Sequence, residues 1–194
     1  MASVKLVLKD VIGSYVYVRE PKINDDGKAK YSIQIIIDKD DPQVNLIREA
    51  VTSVAKSTFG EKVKLGSLKM PVRDGDTERD GKEYEHKFFM NANSSRAPQI
   101  VNRFGKIATE QDLDEYCYSG ATFHVSVNIY GFDFGGKKGI AVGLNNIMLR
   151  KKTTRLDGAA SAESEFAQFA DKSEVADTPE TAADDFGLDD DVPF

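Results

Sequence analysis

Apolar and polar residues alternate through positions 4–8 and 12–18, a period of two that predicts two strands separated by a polar break at 10–13. Asn24-Asp25-Asp26-Gly27-Lys28 predicts a turn, because an Asp-Gly pair accepts positive φ. Residues 31–37, rich in isoleucine, predict the next strand. At Asp41-Pro42 the period changes. Val44, Ile47, Val51, Val54 and Phe59 recur at helical spacing, with Asp41 able to cap, Pro42 suited to the first turn and Gly60 to end the helix. A polar loop over 71–83 is followed by strands expected at 84–90 and 99–104. The longest alternation, 122–134, joins 140–149 through Gly135-Gly136-Lys137-Lys138-Gly139. In that last strand Ile140, Val142 and Leu144 share one face, and Ile147 and Leu149 the other. The phase slips at Asn145-Asn146, which predicts a bulge.

Beyond position 157 branched apolar residues become scarce and Ala, Ser, Asp and Glu dominate, too little to fold alone. Residues 158–194 are therefore expected to form a disordered tail. The preceding body can bury roughly two-thirds of its unfolded surface. One helix among short strands fits a mostly β fold. The expected architecture is a five-stranded, partly open antiparallel barrel of the OB type spanning 1–157.

Charge follows the same boundary. The 194 residues carry a net charge of −6, which taken alone argues against binding a phosphate backbone. Residues 158–194 hold 11 of the 32 acidic residues and one of the 26 basic ones, a net of −10, which leaves +4 on residues 1–157. A mildly basic body bears an acidic tail. No run of 18 apolar residues is present, so no membrane span is expected, and the N-terminal residues lack a signal-peptide core. A single cysteine, Cys117, and two histidines, His86 and His124, fit a cytoplasmic protein without disulfide or structural zinc, so neither cofactor nor metal is expected.

On the strand over 122–134, Phe123, Val125, Val127 and Ile129 form the core face. Tyr130, Phe132 and Phe134 fall on the other, beside Lys137 and Lys138. Successive aromatics on an outer face are suited to stacking bases of single-stranded nucleic acid. Alternatively they fill a second small core under the 71–83 loop. The strand over 12–18 repeats the pattern, with Tyr15, Tyr17 and Arg19 on one face and Lys22 close behind. Phosphate contacts are expected from Arg19, Lys22, Lys137, Lys138 and the run Arg150-Lys151-Lys152. Lys28, Lys30, Arg73, Lys87, Arg96, Arg103 and Arg155 are further bases.

The chain ends in Asp184-Asp185-Phe186-Gly187-Leu188-Asp189-Asp190-Asp191-Val192-Pro193-Phe194. A solvating tail needs no terminal aromatic. Here the Phe194 ring and its α-carboxylate suit a partner pocket with an apolar floor and a basic rim. The tip Asp189, Asp190, Asp191, Val192, Pro193 and Phe194 resembles the acidic ending of bacterial single-stranded DNA-binding proteins. The body is similar instead to a tailed-phage family of OB-fold single-stranded DNA-binding proteins. That resemblance rests on Arg73-Asp74-Gly75-Asp76, on the YEHKFFMNAN segment (84–93), and on 118–149 with Tyr130-Gly131-Phe132 and its GIAVGLNN segment (139–146). Thr122-Phe123 departs from the family pattern, where an aromatic or Cys is more usual. The resemblance implies sequence-independent single-stranded DNA binding in phage replication, recombination or repair. It also implies recruitment of a polymerase, helicase or nuclease by the tip over 184–194, with a homodimer left open.

Enzymatic readings find less support. Asp74, Asp76, Glu78 and Glu85 have calcium-loop spacing, but Arg79 stands where that loop needs Gly. The same acids could serve a metal-dependent nuclease, yet they share one loop. The Gly135–Gly139 segment lacks the phosphate-loop pattern. His124 and Ser126 share a face without an orienting third group, and Cys117 reads as structural. A DNA-mimicking interaction protein explains the acidic tail but not the basic, aromatic body.

Overall fold

In the computed structural model residues 3–23 and 27–156 are described. Residues 24–26 of the expected turn, the acidic segment 158–194 and its tip lie outside them. Strand β1 (Ser3–Ile23) pairs antiparallel with β2 (Ala29–Asp38) and β6 (Thr122–Phe134). β2 pairs with β4 (Lys87–Ser94), and β6 with β7 (Lys137–Lys151). A short parallel seam, Ala92↔Val142 and Asn93↔Gly143, joins β4 to β7 and closes a five-stranded barrel. The expected OB-type barrel is thus present. That its closing seam is parallel follows from parity, since an odd number of strands cannot alternate in direction around a closed ring. Two short strands extend the sheet: β3 (Arg73–Asp74) pairs with β4, and β5 (Gln99–Val101) runs parallel to β7.

The polar break expected at 10–13 is a bulge within one continuous strand. Leu8 faces Val125 and Val11 faces Phe123, so β1 carries one extra residue there. Asp10 takes φ +51°, and its N–H donates to His124 Nδ1 at 2.9 Å. The predicted slip in β7 is equally local. Ser126 pairs with Asn146 and Val127 with Leu144, leaving Asn145 as the extra residue. The bulge turns Ile140, Val142 and Leu144, and then Ile147 and Leu149, into the same core. The β6–β7 turn is shorter than expected. Gly135 and Gly136 at φ +58° and +77° form it alone, so Lys137 and Lys138 belong to the ladder.

Helix α1 (Gln43–Phe59) starts as the sequence implies, with Asp41 Oδ1 accepting the Gln43 N–H at 2.8 Å. It buries Val44, Ile47, Val51 and Val54 against the barrel, packing on β6, β1 and β7. The 71–83 loop is more ordered than polarity suggests. It holds β3 and a single helical turn, α2 (Gly75–Glu78), and covers a second small core of Ile36, Tyr84 and Phe89. That core exists where the alternative reading placed one, but Ile36 of β2, Phe89 of β4 and Tyr84 of the turn before β4 fill it, not the β6 aromatics. A further helix, α3 (Glu110–Tyr116), begins with a reciprocal capping box between Thr109 and Asp112.

Candidate nucleic-acid interface

An open groove of about 1060 Å³ crosses the outer face of the barrel. Strand β1 contributes Tyr15, Tyr17 and Lys22; β2 contributes Lys30, Ser32 and Gln34; β4 contributes Asn91 and Asn93. Phe132 of β6 and Ala141 of β7 lie across from them, and Lys69, Arg73 and Arg79 complete the lining. Five bases and no acid face this groove among the described residues. Such a surface attracts a polyanion.

The two tyrosines reach it through an irregular backbone. Ser14 pairs with Gln34 and Tyr17 with Ser32, so β1 again has one extra residue. Tyr15 absorbs it at φ +47°, a conformation costly for a bulky side chain and characteristic of binding sites. Lys22 lies 5.9 Å from the centre of the Tyr17 ring. On the other side the chain at Lys69 crosses β7: Lys69 N–H donates to Lys138 O (3.0 Å) and Lys69 O accepts from Ile140 N–H (2.9 Å). Gly139 permits this crossing, since a Cβ there would stand 2.7 Å from Lys69 O and 2.8 Å from the Phe132 ring.

Arg73 and Arg79 are held by aromatic stacking. Their guanidinium carbons lie 4.9 and 5.1 Å from the Phe89 ring centre, and Arg79 is also 5.6 Å from that of Tyr84. Arg73 is paired with Glu78. Arg79 has no ion-pair partner among the described residues, and its Nε is buried without a hydrogen bond.

Of the expected site residues, the fold brings Tyr15, Tyr17, Lys22 and Phe132 together. Tyr130 stands opposite Ala141, 37 % exposed, beside the groove rather than in its lining. Phe134 sits at the end of the β6–β7 hairpin, 85 % exposed and paired in register with Lys137.

Most of the remaining cations have carboxylate partners elsewhere. Arg19 bonds Asp114 (2.7 Å) and Glu110 (2.8 Å) on α3, and the Asp114 hydrogen bond raises its pKa further. Lys138 meets Asp133 at 3.5 Å, Arg150 meets Asp10 at 3.4 Å, and Lys152 is paired with Glu115, whose hydrogen bond raises the lysine pKa. Lys137 and Lys151 are exposed without a carboxylate partner among the described residues, outside the groove lining. Sequence reasoning gave Lys69 and Arg79 no role. Neither lies in a patterned strand, and only the crossing at β7 and the second core place them. Helix α3 was not expected from the sequence either; the signal that could have found it is the capping pair Thr109 and Asp112.

Three of the four acids weighed as metal ligands, Asp74, Asp76 and Glu78, are paired with cations. Lys39 lies 2.5 Å from Asp74 and 2.7 Å from Asp76, and its hydrogen bond lowers the Asp76 pKa. Among the described residues no group of three or more His, Cys, Asp or Glu converges on a metal position. Burial pushes the Cys117 thiol up to about 11, far from a reactive thiolate. His124 is half-buried, and burial lowers its pKa against the opposing effect of Asp10. No helix among the described residues is long and apolar enough to cross a membrane.

The fold is similar to that of the single-stranded DNA-binding protein from bacteriophage Enc34 in complex with ssDNA. The two share 23 % identity at a TM-score of 0.69, over 78 % of this chain and 89 % of that one. It is also similar to gp2.5, a single-stranded DNA-binding protein encoded by bacteriophage T7, at 12 % identity and TM-score 0.57 over 88 % and 97 % of the two chains. No curated protein matches by sequence. The family described as Enterobacter phage Enc34, ssDNA-binding protein, matches residues 4–177, and the chain therefore belongs to this phage single-stranded DNA-binding family.

Proposed function

We propose that the protein coats single-stranded DNA of any sequence during phage DNA replication or recombination, acting as a binding protein and not as an enzyme. The observation that carries this reading is the acid-free groove, in which Tyr15, Tyr17 and Phe132 stand among five cations. Aromatic rings stack on any base, and the cations meet the backbone. Membership of a family of single-stranded DNA-binding proteins supports it. Tyr130 and Phe134, on the outer face of the same strand, would extend the stacking path beyond the groove.

A titration of labelled oligo-dT with the full chain tests this against the nuclease and DNA-mimic alternatives. Affinity should fall with salt, with a logarithmic slope of about −0.7 per phosphate neutralised. Salt-insensitive or absent binding would favour the mimic, and cleavage of the probe with Mg²⁺ would favour the nuclease.

The tip over 184–194 is proposed to recruit a replication or recombination protein through Phe194. A segment of net charge −10 tethered to a body of +4 also competes with DNA phosphates for that body. Removing residues 184–194 should therefore raise affinity for oligo-dT at low salt. Unchanged affinity in fluorescence anisotropy would remove the competition.

A further inference from the structure

The floor of the groove carries oriented carboxamides. Gln34 is 3 % exposed and is held at both ends: Tyr84 Oη donates to its Oε1 at 2.5 Å, and its Nε2 donates to Asn91 Oδ1 at 3.1 Å. This relay runs one way, from phenol to Gln34 to Asn91. It turns the Asn91 carbonyl toward Gln34 and leaves the two N–H donors of Asn91 Nδ2 without a partner among the described residues, at the groove. Arg79, stacked on Tyr84 and Phe89 and lining the same groove, adds a guanidinium that can only donate. Asn93 supplies the complementary acceptor, because its Nδ2 donates to Asn91 O at 3.4 Å and leaves Oδ1 available. Rings that merely stack need no such floor. A free asparagine reads adenine with both ends of its amide; Asn91 has one end taken.

From this arrangement we infer that the groove favours keto bases (thymine, uracil, guanine) over amino bases (adenine, cytosine). A keto base presents an exocyclic oxygen to the Asn91 and Arg79 donors, and beside it a ring N–H to Asn93 Oδ1. An amino base sets an exocyclic N–H₂ against the donors and leaves them unpaired once water is displaced. The inference rests on the groove being the path of single-stranded DNA. It adds a preference of base chemistry to binding that otherwise tolerates any sequence.

Oligo-dU and oligo-dC of equal length separate this preference from backbone contacts, since their bases differ only at position 4 and in the protonation of N3. In fluorescence anisotropy with the full chain, dU should bind at least about fivefold more tightly than dC. Asn91→Leu, at an exposed position, should bring the ratio toward one, with dU losing affinity relative to dC. Tyr84→Phe, which frees the relay without touching the groove lining, should lower the ratio in the same direction. It also serves as the test should Asn91→Leu not fold. Equal affinities in the unmodified protein, or a ratio unchanged in both variants, would overturn the preference. Absence of binding to both oligonucleotides would overturn the single-strand reading itself, and the preference with it.

Discussion

The groove and the surface around α3 are both rich in cations, but the two differ in what those cations face. Around α3, Arg19 meets Glu110 and Asp114, and Lys152 meets Glu115. In the groove, Lys22, Lys30, Lys69 and Arg79 meet no carboxylate among the described residues, and only Arg73 is paired. A cation already satisfied by a neighbouring carboxylate holds fewer counterions to release and must break a bond to take a phosphate. An unpaired one has no such cost. The density of Lys and Arg along the chain therefore says less about DNA contact than the acids that tertiary structure brings to them. The α3 cations dock a helix; four of the five groove cations have no carboxylate partner among the described residues.

The largest effect should come from the groove's aromatics. Tyr17→Ala combined with Phe132→Ala should weaken oligo-dT binding by at least about thirtyfold at every salt concentration, as two lost base stacks imply. Phe134→Ala, at the exposed hairpin end, should cost far less. Equal losses in the two variants would move the stacking path to the hairpin.

A smaller effect separates the two basic surfaces. Lys22→Ala and Lys69→Ala should each flatten the salt dependence by about 0.7 in logarithmic slope. Arg19→Ala should leave the slope unchanged and instead loosen α3, seen as a lower melting temperature. A slope reduced by Arg19→Ala would place DNA on the α3 surface.

The smallest effect concerns the β1 bulge at Asp10, away from the groove lining. His124 Nδ1 accepts the Asp10 N–H, so the neutral ring is the bound form, and burial lowers the folded-state pKa below its ordinary value. The stability this contributes is present above the unfolded-state pKa, about 6.5. It is lost as pH falls through the lower folded-state value. Melting temperatures taken from pH 7.5 down to pH 5 should fall more steeply for the unmodified protein than for His124→Gln. Parallel curves would detach His124 from the bulge.

Much of the fold was legible because its signals are local. Helix α1 follows from its apolar spacing between Asp41 and Gly60, and the Asn145 bulge from a phase slip within one strand. Helix α3 was missed, because a seven-residue helix offers little periodicity and its only local signal is the Thr109 capping box. The site was only partly legible. Tyr15, Tyr17 and Phe132 showed themselves as aromatics on polar faces. Lys69 and Arg79 did not, because their positions depend on a crossing over β7 at Gly139 and on stacking against Phe89.

By itself the sequence determined the barrel-forming strands, the helix among them, the division of charge at position 157, and the kind of side chain that binding requires. Each of these is a property of neighbours along the chain. Tertiary structure alone decided which cations remain free, since an ion pair such as Arg19 with Asp114 joins residues 95 positions apart. It likewise decided how the groove floor is oriented. The relay from Tyr84 through Gln34 to Asn91 exists only where β2 and β4 lie side by side, and distance along the chain carries no record of that pairing.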